Sequence, residues 1–305
     1  MDVKLLMMNR GEIKMRSPNE ILLPTDLSPR SADVARYAAP VARHFNSKVT
    51  LLHVLSPINP ALAAMGNAVV LDDVTNRQTE QALNRLNLFL TDELRDLGAK
   101  QLVVEGDPAN VIAEYVAAEH VGFIMMATRG CTAFRRFLLG SVTAKVLHDV
   151  TCPVWTSSHV TNGHPAVSAI PKVIVCAMEA SAAGETILQW ASELTADLGA
   201  RLIITHAIPS LQFDPETYFL EADMRRALVG EAHSKISHLL QGSPTPGAEI
   251  RVEGGNVATV VRSVVEDNRA DLLIIGRASG TGMLGRLRTH SYALIRESLC
   301  PVISV

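Results

Sequence analysis

From residue 20 onward, short apolar runs alternate with segments whose apolar residues recur at helical spacing. In the first half of the chain the apolar runs predict strands near residues 20–26, 48–54, 101–105, 122–127 and 152–156. The segments between them predict helices near residues 29–45, 74–97, 108–120 and 141–149. Strands that are apolar throughout and separated by helices indicate a parallel sheet covered by helices on both faces.

Two dipeptides mark the beginnings of helices. Ser28-Pro29 and Asp107-Pro108 each place a capping side chain directly before a proline. Serine and aspartate are favoured caps, and proline is well tolerated at the first helical position. We therefore expect helices to begin at Pro29 and Pro108.

The second half of the chain repeats the first. Four pairs of segments correspond at a nearly constant offset: residues 21–28 with 174–181, 49–54 with 202–207, 106–112 with 255–261, and 152–154 with 300–302. The second half accordingly predicts strands near residues 172–177, 201–207, 249–253, 271–276 and 301–305. The sequence thus predicts two copies of one α/β domain.

The repeat divides the chain of 305 residues into four parts, with two domains of ordinary size. Residues 1–19 match neither copy and form an N-terminal extension, and residues 20–157 form the first domain. Residues 158–170 are polar and rich in helix breakers, which is typical of a linker. Residues 171–305 form the second domain.

Composition and charge narrow the possible functions. The 48% of hydrophobic and 19% of charged residues are typical of a compact globular protein. A formal net charge of −3 gives no general attraction to nucleic acid or to anionic membrane, so we expect neither as a partner. The four scattered cysteines contain no C-x-x-C pair, which favours a reduced, cytoplasmic protein with structural cysteines. No apolar run has the length of a membrane span, and the N-terminus lacks a signal-peptide core.

The most informative stretch of the sequence runs from Ile124 to Thr143. It begins as a strand of buried type, passes through a loop that contains Gly130, and closes on Gly140-Ser141 before a helix. A strand, a loop and a helix N-terminus in this order form a layout that binds phosphate. The two glycines would let backbone N–H groups approach an anion, while Ser141 could cap the helix and offer a hydroxyl. Three arginines add positive charge nearby: Arg129, Arg135 and Arg136.

A second loop should lie opposite this stretch. In an open parallel sheet the ligand binds at the carboxyl ends of the strands, where the strand order reverses. That rule brings the loop after the first strand, Pro24-Thr25-Asp26, to the loop after the fourth strand. Asp26 could accept hydrogen bonds from ribose hydroxyls or base amino groups, or it could cap the helix that follows. The sequence leaves both roles open.

The glycine spacing resembles the nucleotide-binding signature of the universal stress protein family, Gly-x-x-Gly-x9-Gly-[Ser/Thr], which occurs in its ATP-binding members. Here Ala127 stands at the first glycine, Gly130 at the second, and Gly140-Ser141 completes the signature. Alanine is compatible with the first position if the backbone there has a negative φ. The same loop in a family member that binds no nucleotide would merely connect a strand to a helix.

The resemblance covers residues 20–157 closely and residues 170–305 more loosely. It implies two tandem open parallel five-stranded α/β sandwiches, Rossmann-like and related to the adenine nucleotide alpha hydrolases, with strand order 3-2-1-4-5. Family members commonly pair their domains through the last strand. The two copies should therefore pair with each other as an internal pseudo-dimer, and a further homodimer is left open.

The resemblance also implies a site for ATP or a related adenine nucleotide, accompanied by magnesium, in the first domain. Within it, Val54 matches the position that contacts adenine, and residues 140–143 match the segment that holds the phosphates. The expected site residues are Pro24, Thr25, Asp26, Val54, Met126, Ala127, Arg129, Gly130, Gly140, Ser141, Val142 and Thr143.

The second copy lacks the full signature. Gly276 keeps a first glycine, and the loop that follows holds Gly280, Gly282 and Gly285 without restoring the spacing. The closing Gly-Ser is replaced within the segment Arg288-Thr289-His290-Ser291. A bulky residue at the position of Gly140 would block a phosphate, so we expect the second copy to be a structural partner.

Familiar catalytic motifs are missing from the sequence. It contains no Walker loop, no H-E-x-x-H motif, no cysteine cluster and no G-x-S-x-G elbow. We therefore expect no catalytic or metal-ligating residues, and at most a weak ATPase activity. Three functions remain open: a nucleotide-binding regulator of the stress response, a non-enzymatic interaction module, and a slow hydrolase or nucleotidyl transferase on the same fold.

Overall fold

The computed structural model describes residues 18–57, 68–89, 94–128, 139–157, 170–208, 218–277 and 286–305. Most of the predicted extension of residues 1–19 (residues 1–17) and of the predicted linker of residues 158–170 (residues 158–169) lies outside these ranges. The elements of the first copy are β1 (Glu20–Pro24), α1 (Pro29–Phe45), β2 (Lys48–Leu55), α2 (Ala68–Leu88), β3 (Lys100–Glu105), α3 (Pro108–Glu119), β4 (Phe123–Ala127), α4 (Ser141–Asp149) and β5 (Val154–Ser157).

The second copy has the same order of elements. They are β6 (Val173–Ala177), α5 (Ala182–Leu198), β7 (Arg201–Ile208), α6 (Tyr218–Leu240), β8 (Glu249–Gly254), α7 (Val257–Asp267), β9 (Leu272–Ile275), α8 (Arg286–Glu297) and β10 (Val302–Ser304). Every predicted strand is present, with bounds that differ from the prediction by no more than two residues.

Within the described residues the strands form one sheet in the order β3-β2-β1-β4-β5-β10-β9-β6-β7-β8. All neighbouring strands within each copy are parallel, and each half has the order 3-2-1-4-5. The predicted fold, two tandem parallel α/β sandwiches, is confirmed.

Alternate residues of each central strand enter two different cores. Ile21 and Leu23 belong to a core on one face of the sheet, whereas Leu22 belongs to the core on the other face. The first core also receives buried residues of α1 and α5, and the second receives buried residues of α3, α4, α7 and α8. Burial of both faces explains why the strands are apolar throughout.

The two predicted helix starts have the expected caps. The Ser28 side chain accepts a hydrogen bond from the Ser31 N–H, and Asp107 accepts one from the Asn110 N–H at 3.0 Å. In both helices the proline follows the cap directly. The dipeptides therefore fix the direction in which the chain leaves β1 and β3.

The second helix differs from the prediction of residues 74–97. Helix α2 begins at Ala68 and ends at Leu88, while residues 95–97 form a separate 3₁₀ turn. At the end of α2 the Phe89 N–H bonds to the carbonyl of Leu86, the tightened geometry with which helices often end. Gly98, with φ of 57°, terminates the 3₁₀ turn in the left-handed conformation.

The two copies are joined by their last strands. β5 and β10 pair antiparallel, with Trp155 at the centre of the register. The Thr156 hydroxyl donates to the Val302 carbonyl at 3.1 Å, and the Ser304 hydroxyl donates to the Val154 carbonyl at 3.4 Å. These reciprocal bonds indicate a local pseudo-twofold axis, so the predicted pairing of the terminal strands is present.

Side chains from the first core also cross this seam. The Phe123 ring of β4 stacks on the Trp190 ring of α5, with centroids 6.4 Å apart and planes 4° from parallel. Farther out, His44 Nε2 lies 3.1 Å from the Asp197 carbonyl oxygen. The copies therefore share a buried core as well as a sheet. No helix in the described parts of the chain is long and apolar enough to cross a membrane.

Candidate functional site

The carboxyl ends of β1 and β4 meet where the strand order reverses. β1 pairs with β2 on one side and with β4 on the other, through Ile21 opposite Phe123 and Leu22 opposite Ile124. The chain leaves β1 and β4 to opposite faces of the sheet, because α1 contributes to one core and α4 to the other. The resulting crevice is the usual ligand position in an open α/β sheet.

The loop after β1 is held against β2. The Thr25 N–H donates to the Leu52 carbonyl at 2.9 Å, and His53 Nδ1 lies 2.8 Å from the Thr25 carbonyl oxygen. The Thr25 hydroxyl accepts from the Leu27 N–H at 3.0 Å, where the chain turns with a φ of 60°. His53, near the end of β2, is therefore hydrogen-bonded to the loop. The Thr25 side chain stabilises the turn through its bond from the Leu27 N–H.

Asp26 lies exposed at the tip of this loop. Its Oδ1 accepts a hydrogen bond from the Ser28 N–H at 3.1 Å and one from the Ser31 hydroxyl at 2.6 Å. The Asp26 N–H in turn lies 3.4 Å from the Ser31 oxygen. The cap of α1 is Ser28, so Asp26 does not cap the helix directly; it bonds to the N–H of the cap residue and to the Ser31 hydroxyl, and this network fixes its carboxylate at the crevice.

Ser31 is a residue of this site that the sequence analysis did not identify. Its side chain is buried in the first turn of α1 and bonds to both the backbone and the carboxylate of Asp26. The available signal was its spacing, three residues after the Ser28 cap, at a position where a polar side chain can reach back to the helix entrance.

The end of β4 forms the floor of the crevice. Met126 and Ala127 are buried in the strand, with Met126 packed in one core and Ala127 in the other. Ala127 is not among the described residues with positive φ, so its methyl group is compatible with the backbone there. The predicted residues Arg129 and Gly130, together with Arg135 and Arg136, lie outside the described residues.

Thr128, which the sequence analysis also did not identify, closes the base of the loop. Its N–H donates to the Ser157 carbonyl at 3.1 Å, and its carbonyl accepts from the Gly140 N–H at 2.9 Å. Residues 128 and 140 are thereby brought together at the two ends of the loop. The helix that follows must begin beside the end of β4.

The cap of α4 is Gly140, and the prediction that Ser141 caps this helix is wrong. Gly140 has an extended conformation, with φ of −63° and ψ of 145°, and the helical residues begin at Ser141. The physical reason is the bond from the Gly140 N–H to Thr128, which brings the chain into the helix one residue earlier. Glycine has no side chain to bond the first N–H groups of the helix. The Ser141 side chain is exposed at the first helical position.

The next two predicted residues of α4 face inward. The Thr143 hydroxyl is buried and donates to the Ala127 carbonyl at 3.1 Å, which attaches the first turn of α4 to the end of β4. Val142 is half-buried and packs against the second core, as does Val54 of β2. Among residues 140–143, the exposed hydroxyl at this helix start is therefore that of Ser141.

The charges around α4 favour an anion at its N-terminus. The first turn contains no acidic residue, so no side chain of the helix itself neutralises the positive end of the helix dipole. Lys145, one turn along, lies 3.1 Å from Asp107 at the start of α3. The pKa of Asp107 lies below its usual value, mainly because its carboxylate accepts a hydrogen bond from the Asn110 N–H and secondly because it accepts one from Lys145.

In the second copy, the position of Gly140 is taken by Arg288. The Ser291 hydroxyl donates to the Gly276 carbonyl at 3.2 Å, which matches the bond from Thr143 to Ala127. This match places Arg288 at the position of Gly140. Because α8 begins at Arg286, the chain here is already helical where the first copy has its glycine cap.

The loop after the first strand of the second copy is also different. The Met178 N–H bonds to Thr205, and His206 Nδ1 lies 2.9 Å from the Met178 carbonyl, as in the first copy. Beyond that point Gly184 occupies the position of Ser31, and a Cβ added to Gly184 would overlap the carbonyl oxygen of Glu179. The loop therefore rests directly on α5. The serine–aspartate contact of the first copy cannot form here.

The described residues contain no cluster of metal ligands, and their cysteines are free thiols. No group of three His, Cys, Asp or Glu residues among them could hold a metal ion. Burial raises the pKa of Cys152 to about 11 and the pKa values of Cys176 and Cys300 to about 12. These three thiols are protonated at neutral pH, and all are free cysteines.

Comparison with known proteins identifies relatives for each copy and for the whole chain. The family model described as the universal stress protein family matches residues 18–157 and again residues 171–305. A universal stress protein of Methanocaldococcus jannaschii is 30% identical over 137 residues, which cover 44% of this chain and 79% of that protein. A universal stress protein of Mycolicibacterium smegmatis is 23% identical over 292 residues, which cover 93% of this chain and 96% of that protein.

A solved structure aligns with this chain over nearly its whole length. The crystal structure of a universal stress protein from Archaeoglobus fulgidus aligns with a TM-score of 0.63 and 25% identity, covering 95% of this chain and 97% of that one. A protein of Pseudomonas aeruginosa, described as functionally unknown, aligns with a TM-score of 0.64 at 18% identity, over 94% of this chain and 92% of that one. At that lower identity, the second likeness concerns the fold alone.

Proposed function

Because the chain belongs to the universal stress protein family, with two family domains in tandem, we propose that its first domain binds ATP or a related adenine nucleotide. The bound nucleotide would serve as a regulatory ligand in the cytoplasmic stress response. In this proposal the first domain spans residues 20–157 and the second spans residues 171–305.

The observation that carries the proposal is the glycine cap of α4 beside the loop of Asp26. Gly140 leaves the N–H groups of the first helical turn without a side-chain cap, and the first turn contains no acid. Such a helix start suits a phosphate group, because N–H groups and helix dipole both favour an anion there. Asp26 is held on the opposite side of the crevice by its bond from Ser31. The pairing of β1 with β4 sets the distance between the Asp26 loop and the start of α4.

Both the phosphates and the nucleoside part of a nucleotide would have suitable partners in this arrangement. The phosphates would lie at the start of α4, within reach of the exposed Ser141 hydroxyl. The ribose and base would extend towards Asp26 and Val54, as the resemblance to ATP-binding family members implies. In the described residues no metal cage is available. Magnesium would therefore arrive with the phosphates and keep several of its water molecules.

Slow or absent hydrolysis is part of the same proposal. A base that activates water must hold its proton-accepting atom free towards the attacking water molecule. Asp26 Oδ1 already accepts hydrogen bonds from the Ser28 N–H and from the Ser31 hydroxyl. We propose that Asp26, held in place by these bonds, contacts the ligand and does not serve as the base.

The second domain would not bind nucleotide in this proposal. Arg288 is helical at the position of Gly140, and the loop around Glu179 rests on α5. Both loops of the crevice therefore differ from those of the first domain. We expect one nucleotide per chain.

Replacement of Gly140 by arginine tests the proposal. The Gly140 dihedral angles are accessible to any L-residue, so Gly140→Arg should fold while its side chain occupies the phosphate position. The matched control is Gly242→Arg, at a glycine of the second copy where an added Cβ meets nothing within 4 Å. Isothermal titration calorimetry should show ATP binding lost in Gly140→Arg and retained in Gly242→Arg. Equal ATP affinity in both folded variants would refute the proposed site.

A further inference from the structure

Arg277 of the second copy holds the carboxyl end of α4, the helix whose start forms the proposed phosphate site. Its Nη1 donates to the Val150 carbonyl at 3.0 Å and lies 3.4 Å from that of Leu147. Its Nη2 donates to the Cys152 carbonyl at 2.5 Å and lies 3.4 Å from that of Thr151. One guanidinium therefore contacts four backbone carbonyl oxygens, at the end of this helix and in the loop after it.

These carbonyls need a partner from outside the helix. The last carbonyl groups of a helix have no intrahelical N–H, and the C-terminal end carries partial negative charge. A guanidinium supplies five N–H donors in a rigid fork together with a permanent positive charge. Burial lowers the pKa of Arg277, but an arginine in a protein stays protonated. The contact is therefore charge-assisted, and it spans the two copies.

A second contact from the same copy reaches the middle of α4. The Tyr292 hydroxyl of α8 lies 3.4 Å from the Ala144 carbonyl. A helix of nine residues, Ser141–Asp149, is too short to be stable by itself, so tertiary contacts fix its position. The first copy attaches the N-terminal turn through Thr143, and the second copy attaches the middle and the end.

The residue of the first copy that is equivalent to Arg277 bonds within its own copy. The Arg277 N–H donates to the Val305 carbonyl just as the Thr128 N–H donates to the Ser157 carbonyl, so residues 277 and 128 are equivalent in the repeat. The Thr128 side chain bonds to Ser157 of its own copy at 3.3 Å. The arginine contact is thus directed one way, from the second copy onto the helix of the proposed site.

We infer that Arg277 is a positioning residue for nucleotide binding by the first copy, and that the second copy thereby completes the site of the first. This inference rests on the proposed function. Arg277 acts through α4: it sets where the N–H groups of residues 141–143 stand relative to the end of β4. The second copy is then a working part of the binding site as well as a structural partner.

The test compares three variants of the full chain. Arg277→Met removes the donors and the charge but keeps an unbranched side chain, and Arg277→Lys keeps the charge without the fork. Ser304→Ala is the control, because it removes another buried contact across the seam, to Val154, that does not touch α4. Two quantities are measured: ATP affinity by calorimetry, and amide hydrogen exchange of residues 141–150 without nucleotide.

Arg277→Met should weaken ATP binding by about tenfold, the scale of a charge-assisted contact at a helix end. It should also speed exchange in α4. Arg277→Lys should recover part of both losses, and Ser304→Ala should change neither. If Arg277→Met fails to fold, the partial loss in Arg277→Lys carries the test.

Two results would overturn the inference, and they are distinguishable from failure of the proposed function. Unchanged ATP affinity in folded Arg277→Met would show that α4 needs no such support for binding. Unchanged exchange of residues 141–150 would show that Arg277 does not hold the helix at all. A parent chain that binds no ATP would instead refute the proposed function, and the exchange measurement would still decide whether Arg277 positions α4.

Discussion

Replacing Ser31 by alanine removes the hydroxyl that holds the Asp26 carboxylate at the crevice. In the structure this hydroxyl donates to Asp26 Oδ1 at 2.6 Å, from a side chain that is only 8% exposed on α1. The Ser28 N–H would still bond to Asp26, so the loop would keep one of these two anchors. Ser31→Ala is therefore a small change with a defined consequence for one carboxylate.

The magnitude follows from the kind of bond that is lost. A hydrogen bond to a charged group contributes about 1.5–3 kcal/mol to stability. Exposure of Asp26 screens the interaction, so we expect the free energy of unfolding to fall by about 1 kcal/mol. For a domain of about 150 residues this corresponds to a decrease of about 2–4 °C in melting temperature. Loss of a fixed carboxylate should weaken ATP binding by about three- to tenfold, a fraction of one hydrogen bond to a charged group.

The control is Ser28→Ala, which removes the cap of the same helix. The Ser28 side chain accepts from the Ser31 N–H at 3.3 Å, and loss of a serine cap costs about 1 kcal/mol. It leaves the Asp26–Ser31 bond in place. Thermal unfolding should show similar destabilisation of both variants, whereas calorimetry should show weaker ATP binding only in Ser31→Ala. Equal affinities in the two variants would refute the role given to Asp26.

Three further predictions concern packing, thiols and turnover. Gly276→Ala should lower the free energy of unfolding by about 1–3 kcal/mol, because the added Cβ would overlap Ile187, and Ile187→Val should recover part of the loss in urea denaturation. Burial raises the pKa values of Cys176 and Cys300 to about 12, above the value of about 8.5 for an unfolded thiol. The stability that these thiols contribute is complete below pH of about 8.5 and should be lost as pH rises towards 12; unfolding free energies that stay constant over this range would contradict it. ATP turnover with magnesium should remain below about 1 per second, and a higher rate that is abolished by Asp26→Asn would make the protein an enzyme.

Periodicity and repetition in the sequence predicted two copies of a parallel α/β domain, whereas the strand order came from the resemblance to the universal stress protein family. Strands of a doubly covered parallel sheet are apolar throughout, and Ile21, Leu22 and Leu23 are all buried because they face two different cores. The pairing of the last strands was predicted from the resemblance to the family, together with the apolar character of these edge strands. An apolar edge strand that occurs once in each copy, as around Trp155 and Ile303, can pair with the corresponding strand of the other copy.

The details of the site depend on contacts that local sequence does not encode. The cap of α4 is Gly140 because its N–H bonds to Thr128, a residue twelve positions away across the loop. Arg288 could be matched to Gly140 only through the bond from Ser291 to Gly276, because the loops of the two copies differ in length. Arg277 acts on the other copy from 125 to 130 residues away. Contacts between residues so far apart in the sequence do not affect the spacing of apolar residues within a helix or strand, so that spacing cannot predict them.

The number of nucleotides bound per chain tests the central claim most directly. Protein stripped of nucleotide should be titrated with labelled ATP and magnesium by equilibrium dialysis, and protein denatured straight after purification should be assayed for released nucleotide. The account predicts a single site per chain, since Gly140 caps α4 whereas Arg288 is helical at the same position of α8. Two equal sites per chain would contradict the division between the copies, and no binding at all would contradict the proposed function itself.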